Sequence, residues 1–203
     1  MSTFAYADPP YPGQSAKHYS DHPDYAGEVD SAQMLDRLVK FDGWALSTHV
    51  AGLYEFQALL DRDHGMLPNR DYRVCAWTKP FAALKRNVKV AYAWEPLLVH
   101  AIHKPDPTRL DSLICRDYLS EPITMRRGLV GAKPERFCWW LFEIAGLAPD
   151  DDLLDLFPGS GAVTAAHRSW RRRISRTVEP LSFDLPPTRE GAHSGSRGAR
   201  EAA

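Results

Sequence analysis

The sequence has no long apolar run and few cysteines. No stretch approaches the ~18 consecutive apolar residues of a membrane-spanning helix, and residues 1–11 lack the basic region, apolar stretch and cleavage site of a secretory signal. The three cysteines, Cys75, Cys115 and Cys138, are odd in number and lack the paired spacing of a zinc site or a disulfide framework. We therefore expect a cytoplasmic protein with reduced thiols and no membrane partner.

Several ligand-binding patterns are also missing. The chain has no P-loop lysine followed by Ser or Thr, and no third glycine stands at dinucleotide spacing around Gly159 and Gly161. These absences disfavour ATP hydrolysis and NAD binding. His100 and His103 have a spacing compatible with one helix face, but no nearby Cys or acid completes a metal-binding set. We therefore expect no bound metal.

The charge balance gives no overall sign of a nucleic-acid partner. The formal net charge is −1, so any binding of phosphates must come from local patches. A late cluster of arginines is such a patch, although clusters of this kind are more often a solvated helix face than a phosphate contact. Its members are Arg168, Arg171, Arg172, Arg173 and Arg176.

Length and composition predict a single catalytic domain. The 203 residues contain 44% hydrophobic and 25% charged residues, which is typical of a globular protein with a substantial core. We assign residues 1–185 to a single domain. From residue 186 to residue 203, Gly, Ser, Arg and Ala dominate without an apolar pattern, and this composition predicts a disordered tail.

Helix and strand patterns alternate along the chain. Apolar residues at helical spacing predict helices within 31–40, 53–60, 134–146 and 162–173, and short apolar runs predict strands within 4–7, 44–48, 72–77, 90–99 and 152–157. The alternation predicts an α/β domain with a mostly parallel sheet flanked by helices. Residues 103–127 are rich in Pro, Asp and Arg without periodicity, and they indicate a short irregular insertion.

A glycine turn lies between the last predicted strand and the last helix. Gly159 and Gly161 allow the backbone to approach a ligand closely, and the helix that follows offers unpaired N–H groups. The turn is therefore a candidate site for a nucleotide-like cofactor. Taken alone, so short a pattern is more often an ordinary strand-to-helix turn.

A second motif, Asp8-Pro9-Pro10-Tyr11, follows the first predicted strand, where ligands of open α/β sheets bind. It resembles the catalytic motif of the S-adenosylmethionine-dependent amino-methyltransferases. Residues 155–161 resemble the cofactor motif of the same family, and the catalytic motif comes first, as in its permuted members. The resemblance spans roughly residues 3–170. It implies a circularly permuted, Rossmann-like methyltransferase fold in a compact form similar to bacteriophage enzymes.

The resemblance also implies which residues bind S-adenosylmethionine. Trp94 to Val99 looks like the family's mid-sheet strand, and Lys133-Pro134 looks like its second cofactor element. Glu179 follows the second glycine by about one helix and is a weak candidate for the cofactor ribose, with a solvated acid as the favoured alternative. The cofactor-binding residues implied by the motif and these elements are Asp155, Phe157, Gly159, Ser160, Gly161, Lys133, Pro134 and Glu179.

The chemistry of amine methylation explains the residue types of the catalytic motif. An exocyclic amine is a poor nucleophile because its lone pair is delocalised into the ring. Asp8 can accept one N–H hydrogen bond and the carbonyl of Pro9 can accept the other. Pro9 and Pro10 stiffen the loop that holds both acceptors. Tyr11 offers a ring face on which a flipped base can stack.

The target of methylation follows from the resemblance at position 8. Asp in this position favours adenine N6 in DNA, whereas Ser is more typical of cytosine N4 and Asn of protein glutamine. Methylation at cytosine C5 requires a Pro-Cys loop, and no cysteine here follows a proline. Cytosine N4 and RNA remain open. A catalytically silent nucleic-acid-binding subunit is the alternative from another functional class.

Overall fold

The computed structural model describes residues 1–10, 28–81, 89–103, 115–124 and 132–177. The predicted tail at 186–203 lies outside these ranges. The described chain forms six strands and four helices. The strands are β1 (Thr3–Ala7), β2 (Gly43–Ser47), β3 (Arg73–Thr78), β4 (Trp94–His100), β5 (Tyr118–Ser120) and β6 (Asp152–Asp155), and the helices are α1 (Ser31–Leu38), α2 (Val50–His64), α3 (Glu135–Ala145) and α4 (Ala162–Thr177).

The strands form one sheet in the order β5-β3-β4-β2-β1-β6. β1 lies parallel to β2 and to β6, and β3 lies parallel to β5. β4 is antiparallel to both of its neighbours, β2 and β3, so it alone among the described strands runs in the opposite direction. The prediction of an α/β domain with a mostly parallel sheet is confirmed.

The sheet is covered by helices on both faces, and β1 shows why its sequence is continuously apolar. Phe4 and Tyr6 point to the face that packs on α3 and α4, whereas Ala5 and Ala7 point to the face covered by α1 and α2. All four side chains are almost completely buried. Burial of a large apolar side chain such as Phe4 contributes about 2 kcal/mol to folding. A strand buried on both faces has no polar side to alternate with.

Local signals fix the ends of the helices near the functional edge. Asp30 begins α1 because its carboxylate accepts hydrogen bonds from the backbone N–H groups of Ala32 and Gln33. Pro134 precedes α3 with extended backbone, and Gly146 ends the helix in the left-handed conformation at φ +70°. The beginning of α3 places Lys133 at the edge of the sheet.

The structure differs from the sequence prediction in several places; the helix predicted within 53–60, for example, spans Val50–His64. β4 begins at Trp94 instead of Val90, because Val90 is exposed and lies outside the sheet pairing. The strand β5 lies within the segment expected to be irregular, and its three residues are too few to give a periodic pattern. α4 extends to Thr177, four residues past its predicted end. No helix within the described ranges is both long and apolar enough to cross a membrane.

Candidate active site

The two sequence motifs leave the same edge of the sheet. Tyr6 in β1 is paired with Asp155 in β6, so Asp8 and the glycine turn after Asp155 extend from neighbouring parallel strands. Because β4 runs in the opposite direction, its first residues enter the sheet at this same edge, where Glu95 pairs with Trp77 of β3. The topology therefore brings residues from four distant parts of the chain together.

Four charged side chains form a chain of ion pairs at this edge. The ammonium of Lys133 lies 3.1 Å from Oδ1 of Asp8 and 3.3 Å from Oε2 of Glu95. The other oxygen of Glu95, Oε1, forms an ion pair with Lys79. Lys133 is buried, and its Nζ lies 5.3 Å from the ring centroid of Trp77. Lys79, Glu95, Lys133 and Asp8 thus form one continuous chain of ion pairs.

The ionisation of the two acids differs because their partners differ. Burial raises the pKa of Asp8 above its ordinary value, and the ion pair with Lys133 offsets only part of that effect. For Glu95, burial also raises the pKa, but Lys133 and Lys79 together outweigh it and hold the pKa below its ordinary value. The surroundings therefore favour the ionised form of Glu95 and disfavour the ionised form of Asp8.

The prolines of the first motif shape the loop next to Asp8. Pro9 is buried and Pro10 is half-buried. Both line a small pocket toward the start of α1 and α2, together with Met34 and Thr48. Tyr11, the fourth residue of the motif, lies outside the described residues. The role of Tyr11 in stacking remains a prediction.

The glycine turn presents an open backbone surface. Gly159 and Gly161 have φ of +45° and +69°, which L side chains rarely adopt. A Cβ added to Gly161 would meet no atom within 4 Å, and one added to Gly159 would meet only the carbonyl oxygen of Phe157 at 3.9 Å. Ser160 between them is exposed. The space beside the turn is thus open to a ligand, next to the first N–H groups of α4.

Asp155 ends β6 shortly before the glycine turn and pairs with Tyr6, two residues before Asp8. Burial, together with the nearby charge of Asp8, raises the pKa of Asp155 to about 6, although its Oδ1 accepts a 3.3 Å hydrogen bond from the N–H of Phe157. The ring of Phe157 packs against the core between the sheet and α1–α2. Within the described ranges, no basic side chain forms an ion pair with Asp155. Among the described residues at this edge, the acids Asp8, Glu95 and Asp155 outnumber the bases Lys79 and Lys133, which favours a cationic ligand.

Two residues of the site were missed by sequence analysis. Glu95 was read only as part of the strand segment from Trp94 to Val99, and Lys79, which directly follows β3, was given no role. The available signal was the position of Glu95 directly before Pro96-Leu97-Leu98-Val99, since an acid at the end of so apolar a strand is rarely left without a partner.

Other predicted residues lie apart from this edge or outside the described chain. Glu179 is not among the described residues. His100 contacts the carbonyl of Asp71 at 2.5 Å, and His103 contacts Asp151 at 2.9 Å, so the two histidines serve different partners. No group of three potential metal ligands occurs within the described ranges.

The late arginine cluster lies on α4, beyond the glycine turn. Arg168 and Arg172 are exposed. The guanidinium of Arg173 lies 4.9 Å from the ring centroid of Trp139 in α3. Part of the cluster therefore contributes to helix packing through a cation–π contact. The side chain of Arg176 lies outside the described residues.

Comparisons with known proteins establish the fold. No family model matches the chain, and no curated protein matches it in sequence. A solved complex of M1.HpyAVI with SAM is similar, with a TM-score of 0.52 and 14% identity over 84% of this chain and 78% of that chain. A second crystal structure of M1.HpyAVI aligns over the same shares with 14% identity and a TM-score of 0.49. The likeness to the complex confirms the expected Rossmann-like α/β fold.

Proposed function

We propose that this protein transfers a methyl group from S-adenosylmethionine to the exocyclic amine of a base in DNA, with adenine N6 as the target. The observation that carries the proposal is the placement of Asp8 and Pro9 at the end of β1, directly beside the glycine turn at the end of β6. An acceptor for an amine and a surface for a nucleotide-like cofactor thus share one edge. Residues 1–185 form the catalytic domain in this proposal.

The residues present fit the proposed cofactor. The surface of Gly159 and Gly161 is open where a Cβ would stand, and the excess of acids suits the positive charge of a sulfonium. When bound, S-adenosylmethionine supplies an electrophilic methyl group. The solved complex with a similar fold also contains SAM. The proposed binding residues are Asp155, Phe157, Gly159, Ser160, Gly161, Lys133, Pro134 and Glu179.

The chain's own residues prepare the amine. One oxygen of Asp8 is held by Lys133, and the other can accept an amine N–H, while the Pro9 carbonyl accepts the second N–H. These two bonds draw electron density onto the nitrogen and fix its orientation. The nitrogen loses one proton as it gains the methyl group. Asp8 is suited to receive that proton because burial raises its pKa.

A silent nucleic-acid-binding subunit is the competing function, and cofactor binding separates the two. The intact Asp8 and open glycine turn favour an enzyme, because a silent subunit has no use for either. We expect purified protein to bind radiolabelled S-adenosylmethionine at a stoichiometry of one per chain. Absence of binding, in a sample shown to be folded by circular dichroism, would support the silent subunit.

The affinity for S-adenosylmethionine should depend on pH through Asp155. The pKa of Asp155 is about 6 in the free protein, and a bound cation favours its ionised form. The affinity for S-adenosylmethionine should therefore decrease as the pH falls through 6, by about tenfold between pH 7.5 and pH 5. Calorimetric titration across this range measures the loss.

Two controls accompany this titration. S-adenosylhomocysteine has a neutral sulfur, so its affinity should fall less with acidification than that of the cationic cofactor. In Asp155→Asn the dependence for S-adenosylmethionine should be largely flattened. An equally steep fall in that variant would show that another group governs cofactor binding.

Recognition of DNA should be relaxed, because the segment at 103–127 is short. Arg109, Arg116, Arg126 and Arg127 can contact phosphates but offer few side chains for base edges; of these only Arg116 is described, and it is exposed beside the ring of Tyr118. Affinity for DNA should fall steeply with salt. Methylated positions mapped across a plasmid should share at most a few flanking bases. One long invariant site would contradict this expectation.

A further inference from the structure

Among the described ion pairs, Glu95 and Lys79 connect to Asp8 only through Lys133. Glu95 contacts Lys133 and Lys79, and no contact joins Glu95 directly to Asp8 among the described hydrogen bonds and ion pairs. Both side chains are about one-fifth exposed, similar to Asp8, whose side chain is 26% exposed.

We infer that Glu95 and Lys79 are positioning residues that hold Lys133 against one oxygen of Asp8 and leave the other oxygen for the amine. The inference rests on the proposed function, in which Asp8 accepts the amine. Lys133 is shared between Asp8 at 3.1 Å and Glu95 at 3.3 Å, and this sharing fixes the direction from which its ammonium approaches Asp8. Lys79, which directly follows β3, in turn anchors Glu95.

Both Glu95 and Lys79 are needed to hold Lys133 in this position. A buried ammonium with two carboxylate partners has a defined position, whereas one with a single partner can follow that partner. Without Glu95, Lys133 would be drawn fully to Asp8 and would compete with the amine for its oxygens. Without Lys79, Glu95 would draw Lys133 away from Asp8. The two deletions therefore perturb Asp8 in opposite directions.

Each charged or titratable group of the described chain that faces Asp8 can be assigned a sign. Lys133 and Lys79 stabilise its ionised form, and Glu95 destabilises it. Tyr6, in the same strand, has a pKa raised well above its ordinary value by burial and by Asp8, so its phenol stays neutral. Asp155 on β6 faces Asp8 as a second acid.

The signs predict a pattern that loosened packing alone would not produce. In Glu95→Gln the pKa of Asp8 should fall, so the acid limb of kcat should move to lower pH. In Lys79→Met the pKa of Asp8 should rise and the acid limb should move to higher pH. In both variants kcat at its optimum should fall by about 10-fold to 100-fold, because the acceptor is misplaced. KM for DNA should change little.

Rescue and matched controls complete the kinetic test. Lys79→Arg keeps the positive charge beside Glu95 and should restore the wild-type pH profile. Glu55→Gln and Lys40→Met remove one acid and one base at exposed positions on α2 and after α1, away from the site, and should leave the profile unchanged. If Glu95→Gln and Lys79→Met moved the acid limb in the same direction, or not at all, the inference would be overturned.

A measurement without catalysis separates this inference from the proposed function. Carbon-13 NMR of protein labelled at Asp side-chain carboxyls reports the titration of Asp8 directly, with the signal assigned by its loss in Asp8→Asn. We expect a lower midpoint in Glu95→Gln and a higher one in Lys79→Met than in the wild type. Unchanged midpoints in folded variants would overturn the inference. Opposite shifts in a protein that transfers no methyl group would support the positioning role of Glu95 and Lys79 and would refute only the proposed function.

Discussion

Asp8→Ala should lower the rate of methyl transfer by about 1,000-fold while changing the affinity for S-adenosylmethionine by no more than a few-fold. The substitution removes the acceptor for the amine, yet it leaves the glycine turn at the end of the neighbouring strand untouched. Lys133 keeps its second partner, Glu95, at 3.3 Å and is not left as an unpaired buried charge. Single-turnover assays and calorimetry measure the two quantities separately.

The matched control for Asp8→Ala is Asp42→Ala. The carboxylate of Asp42 accepts hydrogen bonds from the backbone N–H and the hydroxyl of Thr3, at 2.8 and 3.1 Å, at the opposite end of β1. Its loss likewise removes a carboxylate next to one end of β1, but away from the site. Turnover should stay near the wild-type rate. Wild-type turnover in Asp8→Ala itself would remove Asp8 from the reaction.

Gly161→Val should weaken the binding of S-adenosylmethionine by about 100-fold, equivalent to about 2.7 kcal/mol. The Cβ at this position would enter the open space beside the turn that we assign to the cofactor. The backbone at φ +69° also disfavours a β-branched residue, so the turn itself would shift. Calorimetric titration of the purified variant measures the affinity.

Gly65→Val isolates the ligand effect from the backbone effect. Gly65 ends α2 at φ +61°, and a Cβ added there also meets no atom within 4 Å. The two variants therefore carry similar backbone strain, of roughly 1–2 kcal/mol, and should lose similar amounts of thermal stability. Only Gly161→Val should lose cofactor affinity. Equal affinities in the two variants would place the cofactor elsewhere.

Much of the fold follows from sequence patterns with a direct physical cause. The continuous apolar character of β1 reflects burial on both faces, and the Pro134 and Gly146 signals mark the ends of α3 within one residue. The position of β4 between β2 and β3, and its reversed direction, have no such local cause. They depend on pairing between residues far apart in sequence, which periodicity does not encode.

The site was predictable only where a motif carries it. The turn at Gly159 and Gly161 and the loop at Asp8 were found because each has a recognisable local pattern. Lys79 and Glu95 escaped notice because their function arises from β4 entering the sheet at the edge where β3 ends. Lys133 was expected beside the cofactor, and the structure places its ammonium on Asp8. Tertiary placement changes what a residue can do, even when its type is known.

The central claim is tested most directly by the nucleosides of DNA treated with the purified protein. Unmethylated plasmid is incubated with S-adenosylmethionine that carries a deuterated methyl group, then digested and analysed by mass spectrometry. The account predicts deuterated N6-methyldeoxyadenosine, absent from the parallel reaction with Asp8→Ala. Deuterated N4-methyldeoxycytidine would move the target to cytosine within the same chemistry. A deuterated methyl group on no exocyclic amine, despite tight binding of the cofactor, would contradict the account.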